Sequence, residues 1–258
     1  MVGSDPRVAL VTGGNRGIGR EVARQLAEAG LTVVIGARDV AAGERTAKEI
    51  RAELTRSAQD IPEVTAVHLD VAARGDEVGN AHSAAEEIGK RHGRLDILIN
   101  NAGRMVEVRP TDITGKDLES AFSTNVAGVA ETTHACLPLL KQAKAPRIVN
   151  VSSTTASLKL TTENKDFGGD NAVRAPYSTS KAALNMLTLH YDKAFQADAS
   201  LQHIKINAIT PGYVATELTH GLGTRTVEQG ARALVTLALK GEDSPTGGYF
   251  NEDGPLPW

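Results

Sequence analysis

The chain has 258 residues, 41% of them hydrophobic, with a formal net charge of −3. That apolar content supports one sizeable core, and the charge offers no basic face to nucleic acid or to an acidic membrane surface. Aromatic residues, at 3%, are too few for a platform that stacks single-stranded bases, and no apolar run reaches the length of a membrane span.

In chain order, residues 1–7 hold no apolar signal region. The valine-rich run 8–12 reads as a buried strand. It leads into Gly13-Gly14-Asn15-Arg16-Gly17-Ile18-Gly19 and then a helical pattern over 20–29 that stops at Gly30. A strand, a glycine turn and a helix N-terminus together present backbone N–H groups to a phosphate. The spacing G-x-x-x-G-x-G predicts a nucleotide site here, although glycines at such a turn can also be purely structural. A second strand covers 32–37, with Arg38 directly after it. A charged helix follows over about 41–58, a third strand over 64–69 ending at Asp70, and a polar helix over about 74–92. A fourth strand at 95–99 runs into Asn100-Asn101-Ala102-Gly103. A long helical region spans roughly 116–143 and contains Cys136. This is the one cysteine, unable to make an internal disulfide and expected as a core thiol. The fifth strand, 147–151, ends at Ser152-Ser153. A polar insert with glycines follows, and a helix begins near Pro176, a favoured first-turn residue, and continues to about 198. A sixth strand at 204–209 ends at Thr210-Pro211-Gly212, a last helix covers about 226–239, and 248–251 suggests a short seventh strand.

Strands alternating with helices imply an α/β fold: a single-domain, doubly wound parallel sheet of the Rossmann type, about seven strands flanked by helices. No linker or composition shift divides residues 1–258. Ligands of such sheets bind beyond the carboxyl ends of the strands. The glycine turn, Arg38, Asp70, Asn101, Ser153 and Pro211 are therefore expected along one edge. Tyr177 and Lys181, four apart at the start of a helix, share a face. A lysine beside a phenol favours the phenolate, which makes Tyr177 a usable acid or base. Ser153 can donate to a carbonyl oxygen that gains negative charge. Each feature alone also fits an ordinary helix face or strand end.

Taken together, Thr12–Gly19, Asp70, Asn100-Asn-Ala-Gly103, Asn125 within Ser-Thr-Asn-Val-Ala-Gly, Ser153, Tyr177-x-x-x-Lys181 and Pro211-Gly212 resemble the short-chain dehydrogenase/reductase family. Asn-Arg-Gly-Ile-Gly and Ala-Arg-Asp resemble its carbonyl-reductase-like branch. The resemblance implies NADPH-dependent, reversible reduction of a ketone or aldehyde. Tyr177 would be the general acid, with its pKa lowered by Lys181, which also holds the nicotinamide ribose. Ser153 would polarise the carbonyl. Asn125 would keep the long helix open for a water joining Lys181 to solvent. The cofactor would lie along Gly13, Asn15, Arg16, Gly17, Ile18, Gly19, Asn101, Ala102 and Gly103. Asp70 and Val71 would meet the adenine, and Pro211, Gly212, Val214 and Thr216 would border the nicotinamide carboxamide. Ala37 stands where an acidic residue would bind the 2′-hydroxyl of NAD. Arg38 and Arg16 suit a 2′-phosphate instead, so NADP(H) is the expected cofactor. Asp39 could pair with Arg38 or cap the next helix.

An epimerase or dehydratase on the same fold, or a non-catalytic dinucleotide sensor, is the alternative. The expected partners are a small carbonyl or alcohol substrate, no nucleic acid and no membrane. The expected setting is the cytoplasm, as a monomer or homo-oligomer. Ser153 and Tyr177 lie 24 positions apart, longer than is usual for the family. The extra residues within 154–175, including 163–170, could wall the substrate pocket, block an oligomer interface, or form a passive surface loop. Residues 216–223 fall where the family places a mobile lid, and their glycines fit movement. None of the seven histidines has metal-site spacing; His134 and His190 read as packed or surface residues, and no catalytic metal is expected.

Overall fold

The computed structural model describes residues 6–55, 62–75, 77, 79–166, 173–241 and 243–258. Its elements, in chain order, are β1 (Val8–Thr12), α1 (Gly17–Glu28), β2 (Thr32–Ala37), α2 (Val40–Leu54), β3 (Val64–His68), α3 (Ala81–His92), β4 (Ile97–Asn100) and α4 (Gly115–Phe122). They continue with a π-turn (Ser123–Ala127), α5 (Gly128–Leu140), β5 (Arg147–Val151), α6 (Leu158–Thr162), α7 (Ala175–Ala197), β6 (Lys205–Ile209), α8 (Val227–Leu239), β7 (Tyr249–Asn251) and β8 (Gly254–Pro255).

The apolar runs become strands because both of their faces find cover. Successive side chains of β1 point to opposite sides. Ala9 and Val11 join one core with α1, α2 and α8, while Val8 and Leu10 join the other with α3, α5 and α7. Cys136 of α5 lies in the second core, and burial pushes its thiol up to about 12. The sheet order is β3-β2-β1-β4-β5-β6-β7-β8. Every pairing is parallel except that of β7 with β8. Strand order reverses between β1 and β4, and that reversal opens a crevice at their carboxyl ends.

Several expected boundaries shift. The polar helix begins at Ala81, not near 74, because Asp70 and Gly79 close a turn first and the Asn80 side chain then caps the helix through Ser83 N–H. The helix after β2 ends at Leu54. The long helix is interrupted by the π-turn, and Pro138 sits inside its second half. Within the insert, Ser157 caps α6, which had no signal strong enough to stand out from a polar loop. Residues 167–170 of the stretch 163–170 lie outside the described residues. The sheet gains an eighth strand, too short at two residues to show periodicity. Among the described residues no helix is long and apolar enough to cross a membrane.

Candidate active site

The crevice is built first by its glycines. Gly13 and Gly17 have φ of 62° and 53°, conformations that side chains rarely adopt. A Cβ on Gly19 would stand 2.4 Å from the Gly13 carbonyl oxygen and 2.5 Å from Asn101 Nδ2. Asn101 explains that crowding. Its Nδ2 donates to the carbonyls of Thr12 (2.9 Å) and Gly13 (3.3 Å), while Thr12 Oγ1 accepts from the N–H groups of Asn101 and Ala102. Thus Asn101 ties the end of β4 to the turn after β1. Arg16, at the N-cap of α1, makes no side-chain capping bond, so the first-turn N–H groups face the crevice uncapped. Ile18 packs on the core below. A close-approach glycine cradle before an uncapped helix suits a diphosphate.

At the end of β2, Ala37 is buried and Arg38 exposed. Asp39 caps α2 through Ala42 N–H and lies 3.9 Å from Arg45; it is not paired with Arg38. Arg16 forms an ion pair with Glu217. The loop carrying Glu217 leans on the turn, and Thr216 Cγ2 lies 3.7 Å from where a Gly17 Cβ would be. Asp70 spends one carboxylate oxygen on Ala72 N–H. Val71 is buried, and its carbonyl abuts Gly128 at the start of α5.

Tyr177, Lys181 and Ser153 meet at the carboxyl end of β5. Helix α7 begins at Ala175-Pro176, which puts Tyr177 and Lys181 one turn apart. Both are buried. Lys181 Nζ donates to the Val151 carbonyl at 2.7 Å and lies 5.8 Å from the centre of the Tyr177 ring. Burial lowers the Lys181 pKa to about 8. Ser153 Oγ lies 3.0 Å from Thr155 Oγ1 and accepts from Thr155 N–H. Burial raises the Tyr177 hydroxyl to about 12, against lowering by Ser153 and by the charge of Arg174. Desolvation outweighs the opposing influences, and the lowering charge is the arginine's.

Asn125 sits in the π-turn, fully buried. Its Oδ1 accepts from Arg104 N–H, and its Nδ2 donates to the Arg104 carbonyl and to Ser180 Oγ. Gly103 lies between Asn125 and Lys181: a Cβ there would be 3.6 Å from Asn125 Oδ1 and from Lys181 Nζ.

A family profile described as short chain dehydrogenase matches residues 7–226. The chain belongs to the short-chain dehydrogenase family. Salutaridine reductase of Papaver bracteatum is 32% identical, over 95% of this chain and 94% of its own. (+)-Neomenthol dehydrogenase of Arabidopsis thaliana is 31% identical, over 97% and 98%. Among solved structures, an NADPH-bound carbonyl reductase from chicken fatty liver superposes with a TM-score of 0.80 at 26% identity, covering 99% of this chain and 100% of that one. As a short-chain dehydrogenase, this chain is an oxidoreductase of the CH–OH/C=O class.

Three contributors to the short-chain dehydrogenase site had no signal of their own in the sequence. Tyr249 of β7 is buried and donates to the Ser153 carbonyl at 2.5 Å, with its ring stacked on Trp258. Thr155 holds the Ser153 hydroxyl. Arg174, just before α7, lies over the Tyr213 ring. Each acts across a long sequence separation or by orientation alone, so no spacing rule finds it. Among the described residues, no group of three or more His, Cys, Asp or Glu is placed to hold a metal.

Proposed function

We propose that this chain catalyses reversible NADPH-dependent reduction of a ketone or aldehyde to an alcohol, with Tyr177 as the proton donor. The observation that carries this is the meeting of the buried Ser153, Tyr177 and Lys181 at the carboxyl end of β5. The cofactor is NADP(H). It would rest on the turn 13–19 and along Asn101, Ala102 and Gly103, with Asp70 and Val71 toward its adenine and Pro211, Gly212, Val214 and Thr216 toward its other end. Arg38, exposed beside an uncharged Ala37, is the cation for its 2′-phosphate, and Arg16 joins it on exchanging Glu217 for that phosphate.

When bound, the cofactor supplies the hydride chemistry. The chain supplies the rest. Ser153 Oγ, its position fixed by Thr155, donates to the carbonyl oxygen as negative charge builds there. Tyr177 Oη delivers the proton and takes it back in the oxidation direction. Lys181, anchored on the Val151 carbonyl, places a cation one turn away. Asn125 holds the π-turn open beside Lys181, along the route by which a water would replace the proton.

Tyr177→Phe tests this reading, since it keeps the ring and removes only the hydroxyl. General acid–base catalysis contributes about 10²–10⁴-fold, so kcat should fall by at least ~10²-fold while NADPH affinity stays near wild type. The assay is NADPH oxidation over a panel of ketones and aldehydes that includes salutaridine, the compound in a relative's name. A Tyr177→Phe enzyme with most of its activity would remove Tyr177 from the mechanism.

A further inference from the structure

Ser153 is held weakly by its own neighbourhood. It stands at the N-cap of a 3₁₀ turn of three residues, Thr154–Ala156, a form whose hydrogen-bond geometry is poor. Its hydroxyl meets the Thr155 hydroxyl at 3.0 Å and the Thr155 N–H at 3.3 Å, and its carbonyl accepts from Ala156 N–H at 2.9 Å. All of these bonds lie within three residues, so the turn can swing as a unit and keep every one. Its flanking side chains are tied elsewhere, Ser152 Oγ to Asn185 Oδ1 and Thr154 Oγ1 to the Asp166 carbonyl. The Ser153 peptide itself is tied by Tyr249, whose hydroxyl donates to its carbonyl at 2.5 Å across 96 positions of sequence.

Tyr249 is in turn fixed on every side. It pairs with Ala208 in the β6–β7 ladder and is 1% exposed. Its ring stacks on Trp258, with centres 5.4 Å apart and planes at 24°. Residues 254–258 double back to make that contact. Leu256 N–H donates to the Tyr249 carbonyl at 2.7 Å, the Pro257 carbonyl accepts from Ser157 Oγ at 2.7 Å, and the Trp258 carbonyl accepts from Lys159 N–H at 3.4 Å. The segment thus straps β7 to the chain just after Ser153. Packing does not explain the hydroxyl. A phenylalanine would bury the same ring and stack on the same indole, and it would strand no polar group, because the Ser153 carbonyl keeps Ala156 N–H.

We propose that Tyr249 is a positioning residue whose hydroxyl sets the Ser153 turn so that Ser153 Oγ meets the substrate carbonyl, with residues 254–258 holding Tyr249 in place through Trp258. The proposal rests on the carbonyl-reductase reading for its catalytic consequence but not for the coupling of Tyr249 to Ser153. A misplacement of about 1 Å costs up to about 10²-fold in rate, and a donor that is loosened rather than lost costs less.

The test is a double-mutant cycle on kcat, with NADPH and the ketone or aldehyde of the panel that is turned over fastest. Ser153→Ala should cost about 10²–10³-fold and Tyr249→Phe about tenfold, with NADPH Kd near wild type in both. In the Ser153→Ala background, Tyr249→Phe should cost almost nothing more, because the hydroxyl it positions is gone. Costs that multiply overturn the proposal and place the effect of Tyr249 elsewhere. If Tyr249→Phe does not fold, Trp258→Ala, which keeps the hydroxyl and frees the ring, carries the same cycle, with Trp258→Phe as the rescue. A second readout needs no turnover. The chain has three Ser-Thr pairs, at 123–124, 153–154 and 178–179. Carbonyl-labelled serine with amide-labelled threonine therefore gives three NMR signals, and the one lost in Ser153→Ala belongs to the Ser153 carbonyl. That signal should shift in Tyr249→Phe. If it shifts but no carbonyl compound is reduced by the wild type, the functional reading fails and the coupling stands. If it does not shift, the coupling fails whatever the activity.

Discussion

Lys181 occupies a site that does not favour its charge. Its pKa is lowered by burial from the usual lysine value to about 8, so between pH 8 and about 10.5 the unfolded chain binds the proton that the folded chain has lost. Unfolding free energy therefore rises with pH across that window and is lowest below it. Lys181→Met removes both the titration and the penalty. It should raise stability near neutral pH by up to about 3 kcal/mol, less the hydrogen bond to Val151, with the gain fading as pH climbs toward 10.5. Urea melts of both proteins at pH 7 and pH 10 would measure it, and a gain that grows with pH would contradict it. The same variant should lose activity, the usual exchange when a strained site is relaxed. Ser153, Tyr177 and Lys181 were legible in the sequence because their spacing and strand-end placement are local facts. The burial of the Tyr177 phenol was not, because it is set by contacts between parts of the chain far apart in sequence.

The π-turn at Ser123–Ala127 shows no break in the helical periodicity around it. Its residues continue a helical pattern, so the sequence reads one helix where the structure has two with a widened turn between them. Long-range contacts impose the interruption. Asn125 binds the Arg104 backbone on both sides and Ser180 on α7, and Arg74 donates to the Ser123 carbonyl. Asn125→Ala removes the side-chain partners of the part-buried Arg104 N–H and carbonyl, at about 1–3 kcal/mol for each left unsatisfied, while Ser180 Oγ keeps its bond to the Tyr177 carbonyl. We expect a fall in Tm of roughly 5–10 °C in a calorimetric scan. An unchanged Tm would mean that the turn closes to ordinary helix without cost. The glycine turn was the opposite case: its spacing, the strand before it and the helix after it all lie within about twenty residues of one another, and each agrees with the next.

The whole sheet was readable because alternating strand and helix patterns leave few topologies open once right-handed crossovers are required. What escaped were pieces stabilised only from outside, such as β8 and α6. The second of these is held by Ser157, whose hydroxyl caps its first turn and donates to the Pro257 carbonyl, a contact spanning 100 residues. The same enclosure has a practical side at Cys136. A thiol with no exposure to speak of and a pKa near 12 presents almost no thiolate to an electrophile. Dithionitrobenzoate should leave the native protein untouched and react at the rate of global opening, so labelling should accelerate in step with unfolding in urea; fast labelling without denaturant would contradict this. The chain is thus a blank background for site-specific chemistry. Leu222→Cys, at an exposed point beyond His220, would carry the one thiol that a labelling reagent reaches, and a fluorophore there would report whether residues 216–223 move when cofactor and substrate bind.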